Sequence, residues 1–546
     1  MSSETAQRVS PSPSVPSQRS ASPSTDPPRA QAGHDDGGDK AGAHDEAANV
    51  VSALFGRDTV YALLWLIQIV LAAMLTPAIS RLLGPARYGE AVAAYAVMQV
   101  LFPIAGWALG ISVQRAHAGP DGERRARVLI GLAIVIAIDV TALAYASGPL
   151  WAPLVGFRSF TPAVRYAVVW AGLCGITYAG LGLVRSKDRL GVFAAVMLVQ
   201  SVLAEAFALG LVIFYQRTPG AYLLGQMACQ ALAVVVVLCF AAPRWMAPGD
   251  SRLLWTAMRF SGALIPAALA GFVFDASDRL IIQANLGEIE VARYVVARNV
   301  GGIAVLTLGT LNMVWMPRLF EITDVGMRRL VLAATRDAII RLVLAGVVAI
   351  VMASPLILRI MAPASYKTQS LLLVTALIAA AALPAAWNQS QVRVLLLSGR
   401  TASVATWTVT AAAFNLGLNL VIVPWLGIDG AALVTFVAYC GQLMLLSMSA
   451  RRLMRLARPP IRLLVTVAAG LAICIVSSQV PSTLPFDGLR AVIALGAVAV
   501  FAAEMARLTL SEDTLQRSAL TRALGRLASS LPSDARVETT ANGGCA

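Results

Sequence analysis

At 546 residues, 58% hydrophobic and only 13% charged, the chain is too apolar for a soluble enzyme or a nucleic-acid-binding domain. Its formal net charge of +14 follows topology, because the basic residues alternate from loop to loop and form no single patch. The cysteines and histidines show no metal-ligand spacing, and neither a Walker loop nor G-x-S-x-G occurs, so no cofactor, metal, ATP hydrolysis or enzymatic chemistry is expected.

Residues 1–56 come first, of which 1–50 are rich in Ser, Pro, Gly, Ala and Asp, with almost no aliphatic run. Such a segment buries too little apolar surface to offset its ordering entropy, so a disordered cytoplasmic tail is expected. It lacks the basic and apolar pattern of a cleavable signal peptide, and the first span is expected to direct insertion.

Fourteen apolar stretches come next, at about 59–79, 89–112, 128–147, 163–184, 191–214, 221–241, 256–283, 292–316, 337–358, 369–391, 402–424, 427–449, 462–480 and 488–506. Roughly 20 residues cover the ~30 Å of hydrocarbon in a bilayer. Backbone groups in lipid must be satisfied within the segment, so these spans are predicted helices and the fold class is an all-α polytopic membrane protein. The N-terminal tail, the even-numbered loops and the C-terminal tail hold about three quarters of the 43 Lys and Arg. The positive-inside rule then puts both termini in the cytoplasm.

Two predicted outward corners resemble each other: Leu83-Gly84-Pro85-Ala86-Arg87-Tyr88 after span 1, and Leu286-Gly287 through Ala292-Arg293-Tyr294 after span 7. Each Gly suits a helix C-cap. An even offset of six spans gives two units of the same orientation, related by a pseudo-twofold axis along the membrane normal. The expected domains are an N-lobe at 57–250 (spans 1–6), a C-lobe at 251–450 (spans 7–12), spans 13–14 at 451–507, and a cytoplasmic tail at 508–546. In that tail Leu515, Leu520, Leu524, Leu527 and Leu531, with Arg517, Arg522 and Arg526 between them, fit an amphipathic helix. It either lies on the anionic leaflet or stays in solvent.

These motifs carry a family resemblance. Arg81-Leu-Leu-Gly-Pro-Ala-Arg-Tyr-Gly89 followed by Trp107-Ala-Leu-Gly110 resembles the N-terminal signature of the polysaccharide-transporter branch of the multidrug/oligosaccharidyl-lipid/polysaccharide exporter superfamily. Ser277-Asp-Arg-Leu-Ile-Ile-Gln-Ala-Asn-Leu-Gly287 through Ala292-Arg-Tyr294 resembles the start of its second lobe, and Asn312-Met-Val-Trp-Met-Pro-Arg318 the end of its eighth span. The stretch from Phe414-Asn-Leu-Gly-Leu-Asn to Gly427-Ile-Asp-Gly-Ala-Ala432 is similar to its span 11–12 corner. The resemblance covers about 57–506. It implies a flippase for lipid-linked oligosaccharide, of the kind that serves O-antigen, capsule or exopolysaccharide assembly.

Ionisable residues within spans are costly unless they face a wet cavity or a partner. Span 7 carries Asp275, Asp278 and Arg279, spaced so that all three can share a face, and Arg298 lies about two turns into span 8 at comparable depth. Either they form a cationic spot for a pyrophosphate or acidic sugar, joined by Arg293 near the corner, or they are a neutralised network holding two helices together. Asp139 in span 3 and Glu205 in span 5 have no sequence-local cation; each either loads a proton during transport or bonds to a neighbouring helix. Pro103, Pro266 and Pro384 lie inside spans and predict hinge points.

Cys174, Cys229, Cys239, Cys440 and Cys474 fall in spans and Cys545 in the tail, so no disulfide is expected. Competing functions are a peptidoglycan lipid-precursor flippase, a multidrug exporter of the same superfamily, and, from another class, a membrane glycan polymerase or ligase. Outward loops of no more than about 15 residues count against that last class. Proton or sodium coupling, and docking of a glycan polymerase or glycosyltransferase, stay open; nucleic acid is not an expected partner.

Overall fold

The computed structural model describes residues 75–305, 325–481 and 483–509. All of them belong to one unit within 62–546. The predicted N-terminal tail, most of span 1, the last part of span 8 and the predicted C-terminal amphipathic helix lie outside the described residues.

Every regular element among the described residues is helical. Among these residues, eleven helices are long and apolar enough to cross a membrane. One of them, Thr401–Leu453, contains 53 residues and would run about 80 Å if straight. It folds back at Gly427, whose φ of 61° and ψ of −144° are not helical. Trp407 Nε1 donates to Ser449 Oγ at 2.6 Å and Gln442 Nε2 to Thr408 Oγ1 at 3.3 Å, so the two halves run antiparallel as predicted spans 11 and 12.

The loops sort to two ends as their charge predicts. Loops after odd-numbered spans meet at one end, here called the corner end. There Ser80 Oγ donates to the Met361 carbonyl at 2.8 Å, Arg87 to that of Arg217 at 2.8 Å, and Gln283 to that of Gly156 at 3.2 Å. Loops after even-numbered spans meet at the basic end, where Arg124 pairs with Asp250 at 3.0 Å and Lys187 with Glu123 at 2.7 Å. Also at that end, Arg336 donates to the Ala457 carbonyl at 2.8 Å.

Both predicted corner glycines are left-handed, Gly84 at φ 71° and Gly287 at φ 86°, a conformation that costs glycine nothing. The two corners also touch. A Cβ on Gly89 would stand 1.7 Å from the Glu288 carbonyl oxygen, so only glycine admits this approach. Tyr366, buried beside them between two spans, donates to the Ser80 carbonyl at 3.2 Å. Desolvation pushes its hydroxyl well above the ordinary tyrosine value, which keeps it a donor.

Apolar packing divides along the chain. One cluster joins residues between Leu109 and Ala257, another joins Ala304 to Ala494, and a third joins Ala270 to Ala438. A further cluster, reaching the corner end, draws on both halves and includes Tyr88, Val97, Ile282, Tyr294 and Tyr366.

Each predicted proline hinge lies beside a real break. Pro103 precedes a turn at Gly106-Trp107-Ala108, the last two left-handed. Pro384 follows Ala381, which separates Leu372–Ala380 from Ala382–Leu397. Pro266 follows the break between Ser251–Gly262 and Ile265–Leu286. Here the chain changes partners. Ser251–Gly262 packs on the first half through Trp107 Nε1 to the Met258 carbonyl, 3.1 Å, and Ser112 to Ser261, 2.7 Å. Ile265–Leu286 packs on the second half, with Phe274 stacked on Tyr439 at 5.0 Å. Span 5 adds a π-helical turn, Val199–Leu203, which neither proline nor glycine marks.

Candidate functional site

The charges of spans 7 and 8 converge. Arg298 Nη1 stands 3.4 Å from Asp278 Oδ2, Nη2 stands 3.6 Å from Asp275 Oδ1, and Nη2 donates to the Phe274 carbonyl at 3.3 Å. The predicted common face of span 7 is divided, however. The Asp278 side chain is 4% exposed and accepts from the Tyr294 hydroxyl, whereas that of Asp275 is 74% exposed. Burial of Asp278 is sustained because its carboxylate also accepts the Arg279 backbone N–H at 2.9 Å. Asp275 is exposed, one turn from Arg279 along span 7.

Arg279 reaches across to the first half. Its Nη1 donates to Gln99 Oε1 in span 2 at 3.4 Å, and its Nε is buried with no hydrogen-bond partner among the described residues. Asp275, Asp278, Arg279 and Arg298 sum to zero formal charge when all are ionised. Arg298 is consumed by its neighbours, and Arg279 retains unused donors.

On the first-half side, Tyr88 is buried and packs in the cluster that draws on both halves. Glu205 follows the π-helical turn and accepts from the Tyr222 hydroxyl at 3.1 Å, while Gln226 Nε2 donates to that hydroxyl at 3.3 Å. The π turn adds a residue to the helix and rotates the next helical turn about its axis, which brings Glu205 toward Tyr222.

Two predicted site residues are placed elsewhere. Arg293 lies at the corner end, where Nη1 pairs with Glu290 at 2.5 Å, Nε donates to the Tyr366 carbonyl at 3.1 Å and Nη2 to Ser370 Oγ at 2.5 Å. It borders a cavity of about 370 Å³ shared with Asp429 and Gly427. Asp139 is exposed on an apolar helix face between Ile138, 58% exposed, and Leu143, 72% exposed. Neither joins the Arg279 group. Gln99, Tyr222, Gln226 and Tyr294 are site residues that sequence reading missed; their signal was polar groups within apolar spans, weaker than that of a charge. Among the described residues no three His, Cys, Asp or Glu converge as a metal set.

The membrane-crossing helices among the described residues define a polytopic membrane protein, with Arg279 half-buried where its two helical halves meet. The chain belongs to the polysaccharide biosynthesis protein family, whose sequence model matches residues 78–370. Its fold is similar to that of the lipid II flippase MurJ in an inward closed conformation, with a TM-score of 0.61 at 11% identity, covering 83% of this chain and 100% of that one. A mutant of the Vibrio cholerae MATE transporter VcmN is also similar, with a TM-score of 0.52 at 17% identity, covering 73% of this chain and 98% of the other. No curated protein matches the sequence. The fold is thus that of the exporter superfamily to which the sequence motifs pointed.

Proposed function

We propose that the protein is a flippase that moves polyprenyl-pyrophosphate-linked oligosaccharide from the cytoplasmic to the outer leaflet of a bacterial cytoplasmic membrane. The observation that carries this reading is Arg279, which joins the two halves through Gln99 and whose buried Nε–H has no hydrogen-bond partner among the described residues. A guanidinium fork binds phosphate oxygens in a bidentate way and stays charged when half-buried, so the pyrophosphate is its partner.

The two packing units act as lobes, with the basic end in the cytoplasm and the corner end outside. Contact between the corners closes the outer side, so the substrate head enters from the cytoplasm. An apolar recess of about 180 Å³, walled by Leu383, Trp387, Phe436, Leu463 and Leu471, suits the prenyl chain. The lobes then rock about the breaks in spans 2, 7 and 10, which exposes the same cleft to the other side. No covalent chemistry is needed. The protein lowers the cost of carrying a large polar head through hydrocarbon.

The test tracks lipid-linked glycan in cells lacking the protein, complemented with wild type or Arg279→Gln. Glycan trapped on the cytoplasmic leaflet, released only by wild type, is the expected result. Outward delivery of unpolymerised glycan would overturn it and favour a polymerase or ligase. Trapping of the peptidoglycan precursor instead would change the substrate to that lipid.

A further inference from the structure

Span 2 carries an aromatic stripe on the side that meets the second half. Tyr88, Tyr95 and Phe102 are spaced seven apart and so fall on one side of the helix, with Gln99 between the last two. Gln99 accepts from Arg279, which fixes that side as the one facing the second half. Two rings of span 4 complete the stripe at two levels. Tyr95 lies 5.4 Å from Trp170 at 40°, and Phe102 lies 5.8 Å from Tyr178 at 87°. The levels are about 10 Å apart along span 2. Gly110 makes the second level fit, because a Cβ there would come within 2.7 Å of the Tyr178 ring.

We infer that this stripe is the sugar-binding wall of the site, and that it selects neutral pyranoses with unbroken C–H faces next to the pyrophosphate. The inference rests on the flippase reading. Tyr95, Phe102 and Tyr178 are half-buried, so part of each ring is open. An edge-to-face pair such as Phe102 and Tyr178 leaves ring surface uncovered, and ring faces carry the partial negative charge that attracts polarised C–H groups. Trp170 is 8% exposed, and its indole N–H is buried with no hydrogen-bond partner among the described residues, a donor suited to a sugar hydroxyl. On span 7, one turn from Arg279, the exposed carboxylate of Asp275 accepts from hydroxyls and repels acidic sugars. The work is divided between the halves: the second holds the pyrophosphate through Arg279, and the first holds the rings.

The test uses purified full-length protein and two probes, farnesyl pyrophosphate and farnesyl-pyrophosphoryl cellobiose, with binding measured by calorimetry. Wild type should bind the glycosylated probe more tightly by roughly tenfold. Tyr178→Leu, and Trp170→Leu where it folds, should remove that increment and leave the sugar-free probe unchanged. Tyr178→Phe, which keeps the ring, should retain it. Arg279→Gln should weaken both probes equally. An increment that survives both leucine substitutions, or one that is absent in wild type while farnesyl pyrophosphate binds, overturns the sugar wall and leaves the pyrophosphate site standing. Failure of wild type to bind either probe overturns the flippase reading, and the wall falls with it.

Discussion

Arg298 Nη1 lies 3.4 Å from Asp278 Oδ2, the same oxygen that receives the Tyr294 hydroxyl. A buried carboxylate is thus held by one cation and one neutral donor from the adjacent helix. Removing the cation leaves Asp278 charged and uncompensated, which costs about 3–5 kcal/mol in comparable buried pairs. Arg298→Met should therefore lower the unfolding temperature in detergent sharply, and adding Asp278→Asn should restore part of the loss. Wild-type stability in the single variant would show that the pair does not hold the helices.

Asp275 makes the contrast. With its side chain 74% exposed, Asp275→Asn should change stability by no more than about 0.5 kcal/mol. Its effect should fall on substrate charge, with acidic glycans transported better than by wild type. Thermal unfolding and transport of paired neutral and acidic substrates measure the two consequences separately.

The corner contact predicts a conformational phenotype. Any side chain at Gly89 meets the Glu288 carbonyl, so Gly89→Val should part the corners. A cysteine placed at Ser80 should then react faster with a membrane-impermeant maleimide added outside. Equal labelling in the two backgrounds would mean that the corners do not close the outer side.

Glu205 and Asp139 separate two forms of coupling. Glu205 is bonded to Tyr222 beside the π turn, whereas Asp139 stands exposed on an apolar face. In proteoliposomes with an imposed pH gradient, Glu205→Gln should abolish the gradient's effect on transport and Asp139→Asn should preserve it. The reverse pattern would move coupling to span 3.

The helical spans among the described residues, and the sorting of their loops to two ends, were legible because hydropathy and loop charge are one-dimensional signals. The convergence of Asp275, Asp278 and Arg298 was legible for a related reason: antiparallel neighbours joined by a short corner must bring equal depths together. Arg293 shares that corner but is occupied by Glu290, Tyr366 and Ser370, two of which come from a loop more than seventy residues away. The inward turn of Asp278 depends on Tyr294, and the register of span 5 on a π turn without a sequence marker. Tyr95 with Trp170 and Phe102 with Tyr178 each pair across about 75 residues, and aromatic residues in apolar spans are too common to stand out alone.

The zero sum of the four cleft charges has an electrical consequence. Carrying one elementary charge through the membrane field costs about 2.3 kcal/mol per 100 mV. On the flippase reading, Asp275, Asp278, Arg279 and Arg298 would cross that field as a neutral set, so these four would add no current to the return stroke of the empty carrier. The loaded stroke would carry an anionic head outward. An inside-negative potential would then favour export, adding a voltage drive to the gradient coupled through Glu205.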